Sequence, residues 1–198
     1  MCLFIVIEGI DGSGKTTQAK MLFKKLIRRG YKVALLAEPT GSVYGRKIRE
    51  KLREGNYTAE ELYELFVKDR MLNAKNIQSL LRWGYIVILD RYYISTIAYQ
   101  GAQGIPIDRI LNDHKNLPQP DIIIILDIDP VTALGRLKKK DTFETREFLE
   151  RVREIYLRIP EILKNFDGQI EVINADRDPE AVGEDIWKMV RDRISCGK

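Results

Sequence analysis

Apolar residues gather in short, nearly unbroken runs at residues 3–7, 32–37, 85–89, 121–126 and 170–173. Apolar positions on consecutive residues mark strands covered on both faces, since a half-solvated strand would alternate. Between the runs the period changes. Residues 18–29, 45–53, 59–83, 130–139, 144–165 and 179–194 carry apolar side chains three and four apart with charged residues between them, the pattern of amphipathic helices. Buried strands alternating with such helices predict an α/β fold, a parallel five-stranded sheet with helices on both faces. In open sheets of this kind ligands sit beyond the carboxyl ends of the strands. The helix over residues 59–83 is long enough that it is expected to cross the top of the sheet. Pro118-Gln119-Pro120 stiffens the approach to the fourth strand, and Pro39, Pro106 and Pro160 mark turns or kinks. No repeat or low-complexity linker divides the chain, so residues 1–198 read as one domain.

Composition narrows the classes. The chain has 198 residues, 44% of them hydrophobic, enough for a substantial core. No apolar run approaches a membrane span. Residues 1–7 lack a basic leader and run straight into a glycine-rich loop, so they read as the first strand and not as a signal peptide. The two cysteines, Cys2 and Cys196, form neither a disulfide framework nor a zinc pattern. Cys2 is expected to pack near the first strand, Cys196 to lie in a frayed tail, and the compartment to be a reducing cytoplasm. The single histidine, His114, lies in a polar stretch and reads as a surface residue. A net charge of +4 and a pI near 9.0 suit small anionic substrates held by arginines. Basic and acidic residues are interspersed, so no stripe for nucleic acid stands out beyond Lys138, Lys139 and Lys140.

The chemistry begins at Glu8-Gly9-Ile10-Asp11-Gly12-Ser13-Gly14-Lys15-Thr16-Thr17, which fits the phosphate-binding pattern G-x-x-x-x-G-K-[ST]. A strand precedes it and a helix follows, the context the motif requires. The glycines let successive backbone N–H groups turn inward toward phosphate oxygens, and the helix N-terminus adds partial positive charge. Lys15 reaches the outer phosphates, and the Thr16 hydroxyl can complete a magnesium shell. The third strand closes on Asp90, the expected second magnesium contact, and the adjacent Arg91 can neutralise a transferring phosphoryl group. Glu38-Pro39 follows the second strand and Arg49 the next helix start, both above the carboxyl edge. Phe66 and Arg70 stand one helical turn apart, which suits a stacked base beside a phosphate; Phe66 as plain core is the other reading. If residues 93–101 are helical, Ser95 shares a face with Tyr99 and Thr96 with Gln100, around a small polar ligand or at an ordinary helix start. The charged residues 135–146 read either as a lid over the phosphates or as a solvated helix end.

Taken together these residues resemble the thymidylate kinases over nearly the whole chain. The likeness rests on the phosphate loop, Glu38-Pro39, Ile48-Arg49, Leu65-Phe66 with Asp69-Arg70, Asp90-Arg91-Tyr92, Ser95 with Ala98-Tyr99-Gln100-Gly101, Pro120-Asp121, and Phe148-Leu149-Glu150-Arg151-Val152-Arg153. The resemblance implies a P-loop NTPase-type fold and transfer of the ATP γ-phosphate to dTMP with Mg2+. ATP would lie on Gly9, Asp11, Gly12, Ser13, Gly14, Lys15, Thr16 and Thr17, with Mg2+ at Thr16 and Asp90. Phe66 would stack on thymine, Arg70 would lie near the base and monophosphate, and Arg49 and Arg91 would hold the acceptor phosphate. Asp11 would approach the 3′-hydroxyl, and Tyr99 would lie under the deoxyribose where a 2′-hydroxyl clashes. Thr96 and Gln100 would face the base edge, with Glu38, Pro39 and Ser95 in the same pocket. The family is usually a homodimer packed through helices.

The chain departs from the family pattern in three places. E-P-G-G-T reads Glu38-Pro39-Thr40-Gly41-Ser42; D-R-x-E reads Asp141-Thr142-Phe143-Glu144; and no basic residue lies between Gly9 and Gly14. Relatives of the last kind place a catalytic cation in the lid, where Arg136, Lys138, Lys139, Lys140 and Arg146 are available; Arg136 and Lys139 join Lys15 and Arg91 as the expected catalytic set. Three other readings compete. A deoxynucleoside kinase needs a base for a sugar hydroxyl, and relatives of that type carry Glu-Arg where this chain has Asp90-Arg91. A GTPase needs a guanine-reading N/T-K-x-D loop, which is absent. A nucleic-acid-dependent ATPase would have only three adjacent lysines to use. A P-loop kinase for another pyrimidine monophosphate also stays open, since a single methyl group separates thymine from uracil.

Overall fold

A computed structural model describes residues 2–137 and 145–196. Five parallel strands form one sheet: β1 (Leu3–Gly9), β2 (Val33–Ala37), β3 (Ile86–Asp90), β4 (Ile122–Asp127) and β5 (Gln169–Asn174), in the order β2-β3-β1-β4-β5. Nine helices among the described residues connect and cover them. These are α1 (Lys15–Ile27), α2 (Val43–Glu54), α3 (Ala59–Arg82), α4 (Tyr93–Ala102), α5 (Ile107–His114), α6 (Pro130–Arg136), α7 (Arg146–Leu157), α8 (Ile159–Ile162) and α9 (Pro179–Cys196). The expected α/β architecture is present. No helix among the described residues is long and apolar enough to cross a membrane.

The two-residue period of a strand sorts the core into two layers. Leu3, Ile5, Ile7, Ile86, Ile88, Ile122, Ile124 and Leu126 point to one face, where Ala19, Leu22 and Leu26 of α1 and Val182, Ile186 and Val190 of α9 cover them. Phe4, Val6, Val87, Leu89, Ile123 and Ile125 point to the other, beneath Tyr63 and Ile77 of α3, Ile94 and Ile97 of α4, and Leu149, Val152 and Tyr156 of α7. This double burial is why β1, β3 and β4 are apolar on consecutive positions, whereas the edge strand β5 alternates, with Glu171 exposed.

In the sheet register Ile7 and Ala37 both stand level with Asp90. The phosphate loop, the Glu38 turn and Arg91 therefore leave the sheet together at its carboxyl edge. The 24 residues of α3 span about 36 Å, against about 17 Å for a five-residue strand. The helix thus overhangs the sheet as its length predicts: Ile77 packs on the face, while Arg70 reaches Glu38 just past β2. A capping box of Thr58 and Glu61 fixes its start.

Three local expectations change. The single helix expected over residues 144–165 is replaced among the described residues by two, α7 and α8, because Pro160 stands at the start of α8 and has no N–H to continue the ladder. The polar stretch around His114 is the end of α5, and His114 is buried, only 2% exposed. Cys2 is exposed.

Candidate active site

The donor side is built by the loop from β1 to α1. Gly12 has a positive φ of 81°, and a Cβ there would lie 2.3 Å from the carbonyl oxygen of Ala133 in α6, so the turn admits glycine alone. Lys15 is buried, with Nζ donating to the Ile10 carbonyl at 2.8 Å. Burial, with Arg91 nearby, pushes its amine down to about 8, against the opposing pull of Asp11, Asp90 and Glu8. An incoming phosphate would stabilise the charged amine and push this value back up. The Thr16 hydroxyl donates to Asp90 Oδ2 at 2.5 Å. A hydroxyl beside a carboxylate, both in the wall of an open cavity, fits a hard cation whose other ligands come from phosphate and water.

That cavity measures 750 Å³. Its walls hold Asp11, Gly12, Ser13, Gly14, Lys15, Thr16 and Thr17, with Asp90, Arg91 and Arg136. Gly9 lies outside them; its carbonyl accepts from Arg91 Nη1 at 3.4 Å. Sequence reasoning missed the far wall, formed by Ala175, Arg177, Pro179 and Val182 after β5, and Gln18, whose Nε2 donates to the Pro179 carbonyl at 2.8 Å. The signal was available, since every strand end at the carboxyl edge is a candidate.

A second cavity of 230 Å³ adjoins the first and shares Asp11, Glu38 and Arg91 with it. It is lined by Asp11, Glu38, Pro39, Arg49, Phe66, Arg70, Arg91, Ser95, Thr96, Tyr99 and Gln100, all of them singled out from sequence, together with Leu52, which was not. Phe66 is thus a cavity wall, half-buried, and not plain core.

Arg91 is the hinge between the cavities. Its φ is 73°, a left-handed value that non-glycine residues rarely adopt and that clusters at functional sites. Its N–H bonds the Ile7 carbonyl, and its guanidinium pairs with Asp11 and donates to Ser95 Oγ at 3.2 Å. Beneath it lies Glu8, fully buried, accepting from Ser95 Oγ at 2.6 Å, the Tyr92 N–H at 2.7 Å and the Tyr156 hydroxyl at 3.1 Å. Burial raises the Glu8 carboxyl, and these donors with Arg91 pull against it. Burial would also raise Asp11, but Arg91 and Lys15, aided by Tyr99, hold it down at about 2. The Tyr99 hydroxyl accepts from the Asp11 N–H at 3.0 Å and donates to Asp11 Oδ2 at 2.8 Å.

The Arg70 end of the smaller cavity is anchored by charge pairing inside the protein. Arg70, 1% exposed, donates Nε to Glu38 Oε2 at 2.7 Å, Nη1 to Thr96 Oγ1 at 2.9 Å and Nη2 to the Tyr92 carbonyl at 3.2 Å. Asn73 donates to the other Glu38 oxygen at 3.0 Å. Asp69 ties down the loop that departs from the family pattern. It accepts from the Thr40 N–H at 2.7 Å, the Thr40 hydroxyl at 2.6 Å and the Ser42 hydroxyl at 2.5 Å. Arg49 is exposed at the rim and grips the same loop through the Pro39 and Thr40 carbonyls at 2.8 and 2.7 Å.

Of the cations expected to serve in a lid, Arg136 borders the larger cavity and pairs with Asp176 at 3.3 Å, while Arg146 pairs with Glu150 at 2.8 Å on an exposed helix start. Lys138, Lys139 and Lys140 lie outside the described residues.

The family described as Thymidylate kinase matches residues 7–186. The chain is 40% identical to a probable thymidylate kinase of Archaeoglobus fulgidus across 99% of this chain and 98% of that protein. It is likewise 40% identical to the thymidylate kinase of Xanthomonas euvesicatoria pv. vesicatoria, over 91% and 79% of the two. Its fold superposes on the solved structure of the Candida albicans thymidylate kinase with a TM-score of 0.83 at 28% identity, covering 96% of this chain and 91% of that one. With a phosphate loop opening onto two adjoining cavities and a match along almost its full length, the chain belongs to the thymidylate kinase family.

Proposed function

We infer that the chain transfers the γ-phosphoryl group of ATP to dTMP, giving dTDP and ADP. The observation that carries this reading is the pair of adjoining cavities sharing Asp11 and Arg91, one walled by the phosphate loop and the other by an aromatic ring and arginines. An acceptor phosphate oxygen attacks the γ-phosphorus, a P–O bond forms, and the bond to the β-phosphate oxygen breaks. A monophosphate is largely dianionic at neutral pH, with a second pKa of about 6, so no general base is required. Asp11, held ionised, serves as a fixed partner of Arg91 and not as a proton acceptor.

In this reading Lys15 and the loop N–H groups hold the donor phosphates, and Arg49 and Arg91 hold the acceptor phosphate. Phe66 stacks on the base, Arg70 with Thr96 and Gln100 reads its edge, and Tyr99 closes the space at the sugar 2′ position. Thr16 and Asp90 would hold Mg2+, which when bound would neutralise charge on the phosphates. A lid cation from Arg136, Lys138, Lys139, Lys140 or Arg146 completes the charge around the transferring group. A cytoplasmic homodimer accompanies this reading; Met71 and Leu72 on α3, 50% and 46% exposed, supply an apolar face that a second copy would cover. The test is ADP release with ATP, Mg2+ and a panel of thymidine, dTMP, dUMP, dCMP, dGMP and single-stranded DNA. Turnover with dTMP far above the others supports the reading; turnover on thymidine or DNA in its place overturns it.

A further inference from the structure

The reaction above makes no use of His114, yet this residue is buried against a guanidinium. Its Nδ1 lies 2.6 Å from the Ile110 carbonyl oxygen and its Nε2 lies 3.0 Å from Arg70 Nη1. A carbonyl oxygen only accepts and an arginine only donates. Both contacts are satisfied together by one protonation state alone, the neutral ring with its proton on Nδ1 and a bare lone pair on Nε2. The imidazolium or the other tautomer would point an N–H at the guanidinium. The Tyr93 ring lies nearly parallel to the imidazole, centroids 5.8 Å apart at 21°, and fixes its plane.

We propose that His114 is a positioning residue for the acceptor pocket: as a neutral Nδ1–H imidazole it accepts from Arg70 Nη1 and sets the guanidinium against the cavity. The proposal rests on the reading of Arg70 as an acceptor contact. Arg70 is held from three other directions, by Glu38, Thr96 and the Tyr92 carbonyl. His114 supplies the fourth, from α5, an element that contributes no residue to the cavity wall. The groups facing the ring are Arg70 from α3, Glu38 beyond it, Thr96 and Tyr93 from α4, and Asp113 from α5; on its far side His114 borders another cavity with Lys115, Asp121, Lys164 and Arg193. Burial and Arg70 push the imidazole down to about 4, with the Ile110 carbonyl and Asp113 pulling the other way, so the neutral form holds across the working range.

Because the chain has one histidine, a ¹⁵N-histidine spectrum reads it without assignment. A protonated Nδ1 and a bare Nε2, unchanged from pH 8 to 5.5, support the proposal; titration near 6.5 or the opposite tautomer overturns it. Kinetics supply the functional arm. His114→Leu should raise KM for dTMP about tenfold, the size of one hydrogen bond to a charged group, with kcat and KM for ATP within about twofold. His114→Gln, whose Oε1 can accept from Nη1, should stay within about threefold of wild type. Arg70→Lys separates the two readings. If it raises KM for dTMP while a folded His114→Leu does not, the His114 proposal fails alone. If Arg70→Lys leaves KM unchanged while the spectrum is as expected, the acceptor reading of Arg70 fails and takes the functional arm with it. Should His114→Leu not fold, a Gln variant that loses dTMP affinity as a leucine would overturn the acceptor role.

Discussion

Tyr99 has two separable duties, and Tyr99→Phe removes only one. The ring remains to exclude a 2′-hydroxyl, while the two bonds to Asp11, at 3.0 and 2.8 Å, are lost. A bond to a carboxylate contributes about 1.5–3 kcal/mol and one to a backbone amide about 0.5–1.5 kcal/mol. Asp11 opens onto both cavities, so water can replace part of this, leaving a net loss of about 2 kcal/mol. In a domain of this size that lowers Tm by about 4–8 °C. Asp11 is also the partner of Arg91, so loosening it loosens the acceptor clamp. We expect kcat/KM for dTMP to fall by up to about 30-fold, the equivalent of 2 kcal/mol, with the ratio of dTMP to its ribonucleotide within about twofold of wild type. Tyr99→Gly should lose the clamp and the sugar discrimination together. Coupled ADP release with both acceptors, and melting of the same samples, make the measurement. A Phe variant with wild-type kcat/KM and Tm would refute the coupling of Tyr99 to Asp11; a Gly variant with full selectivity would refute the ring as the sugar gate.

Other substitutions separate the remaining parts. Lys15→Ala should lower kcat by at least about 100-fold in a folded protein, as loss of a charge contact at a transferring phosphate typically does; near-normal turnover would remove the loop from the chemistry. Phe66→Ala should raise KM for dTMP about 5- to 150-fold through lost stacking with little change for ATP, whereas a drop in Tm with both constants intact would make the ring a core residue. Neutralising Arg136, Lys138, Lys139, Lys140 and Arg146 together should cut kcat at least about tenfold and leave the dTMP Kd of the resting enzyme nearly unchanged, since contacts formed on closure act in the transition state; wild-type kcat would end the lid reading. His114 also predicts a pH effect on stability. Its folded value of about 4 lies below the unfolded value near 6.5, so in that window the unfolded chain takes up a proton the folded one refuses. Its contribution is intact above pH 6.5 and falls as pH drops, by about 2 kcal/mol at pH 5. The stability difference between wild type and His114→Gln, from urea unfolding, should shrink by that amount between pH 7.5 and 5, and a pH-independent difference would contradict it.

The sheet was legible because burial on both faces makes Phe4, Ile5, Val6 and Ile7 apolar without interruption. Its end was not: β1 runs on to Gly9 because Glu8 finds Ser95, Tyr92 and Tyr156 as partners, residues 84 to 148 positions away. Long-range pairing of this kind leaves no local trace. The same cause hid His114, whose polar neighbours Asn112, Asp113 and Lys115 describe a surface while its partner Arg70 lies on another helix. Helix α5 escaped notice because only Ile110 and His114 of its eight residues are buried, too few to display a period. The smaller cavity was legible almost whole, since its residues are chemically conspicuous and stand at strand ends or one helical turn apart. Leu52, an ordinary apolar residue on α2, gave no such sign. Gln18 lies on α1 and Arg177 in the turn between β5 and α9, and nothing local to either residue marks its place at the carboxyl edge.

The central claim, that one cavity presents a nucleoside monophosphate to the phosphate held in the other, is tested most directly by following the label from [γ-³²P]ATP in the presence of Mg2+ and dTMP. The account predicts that the label appears in the β-phosphate of dTDP, one equivalent for each ADP formed. Label recovered as inorganic phosphate, or in dTMP when thymidine is supplied in place of dTMP, would contradict it.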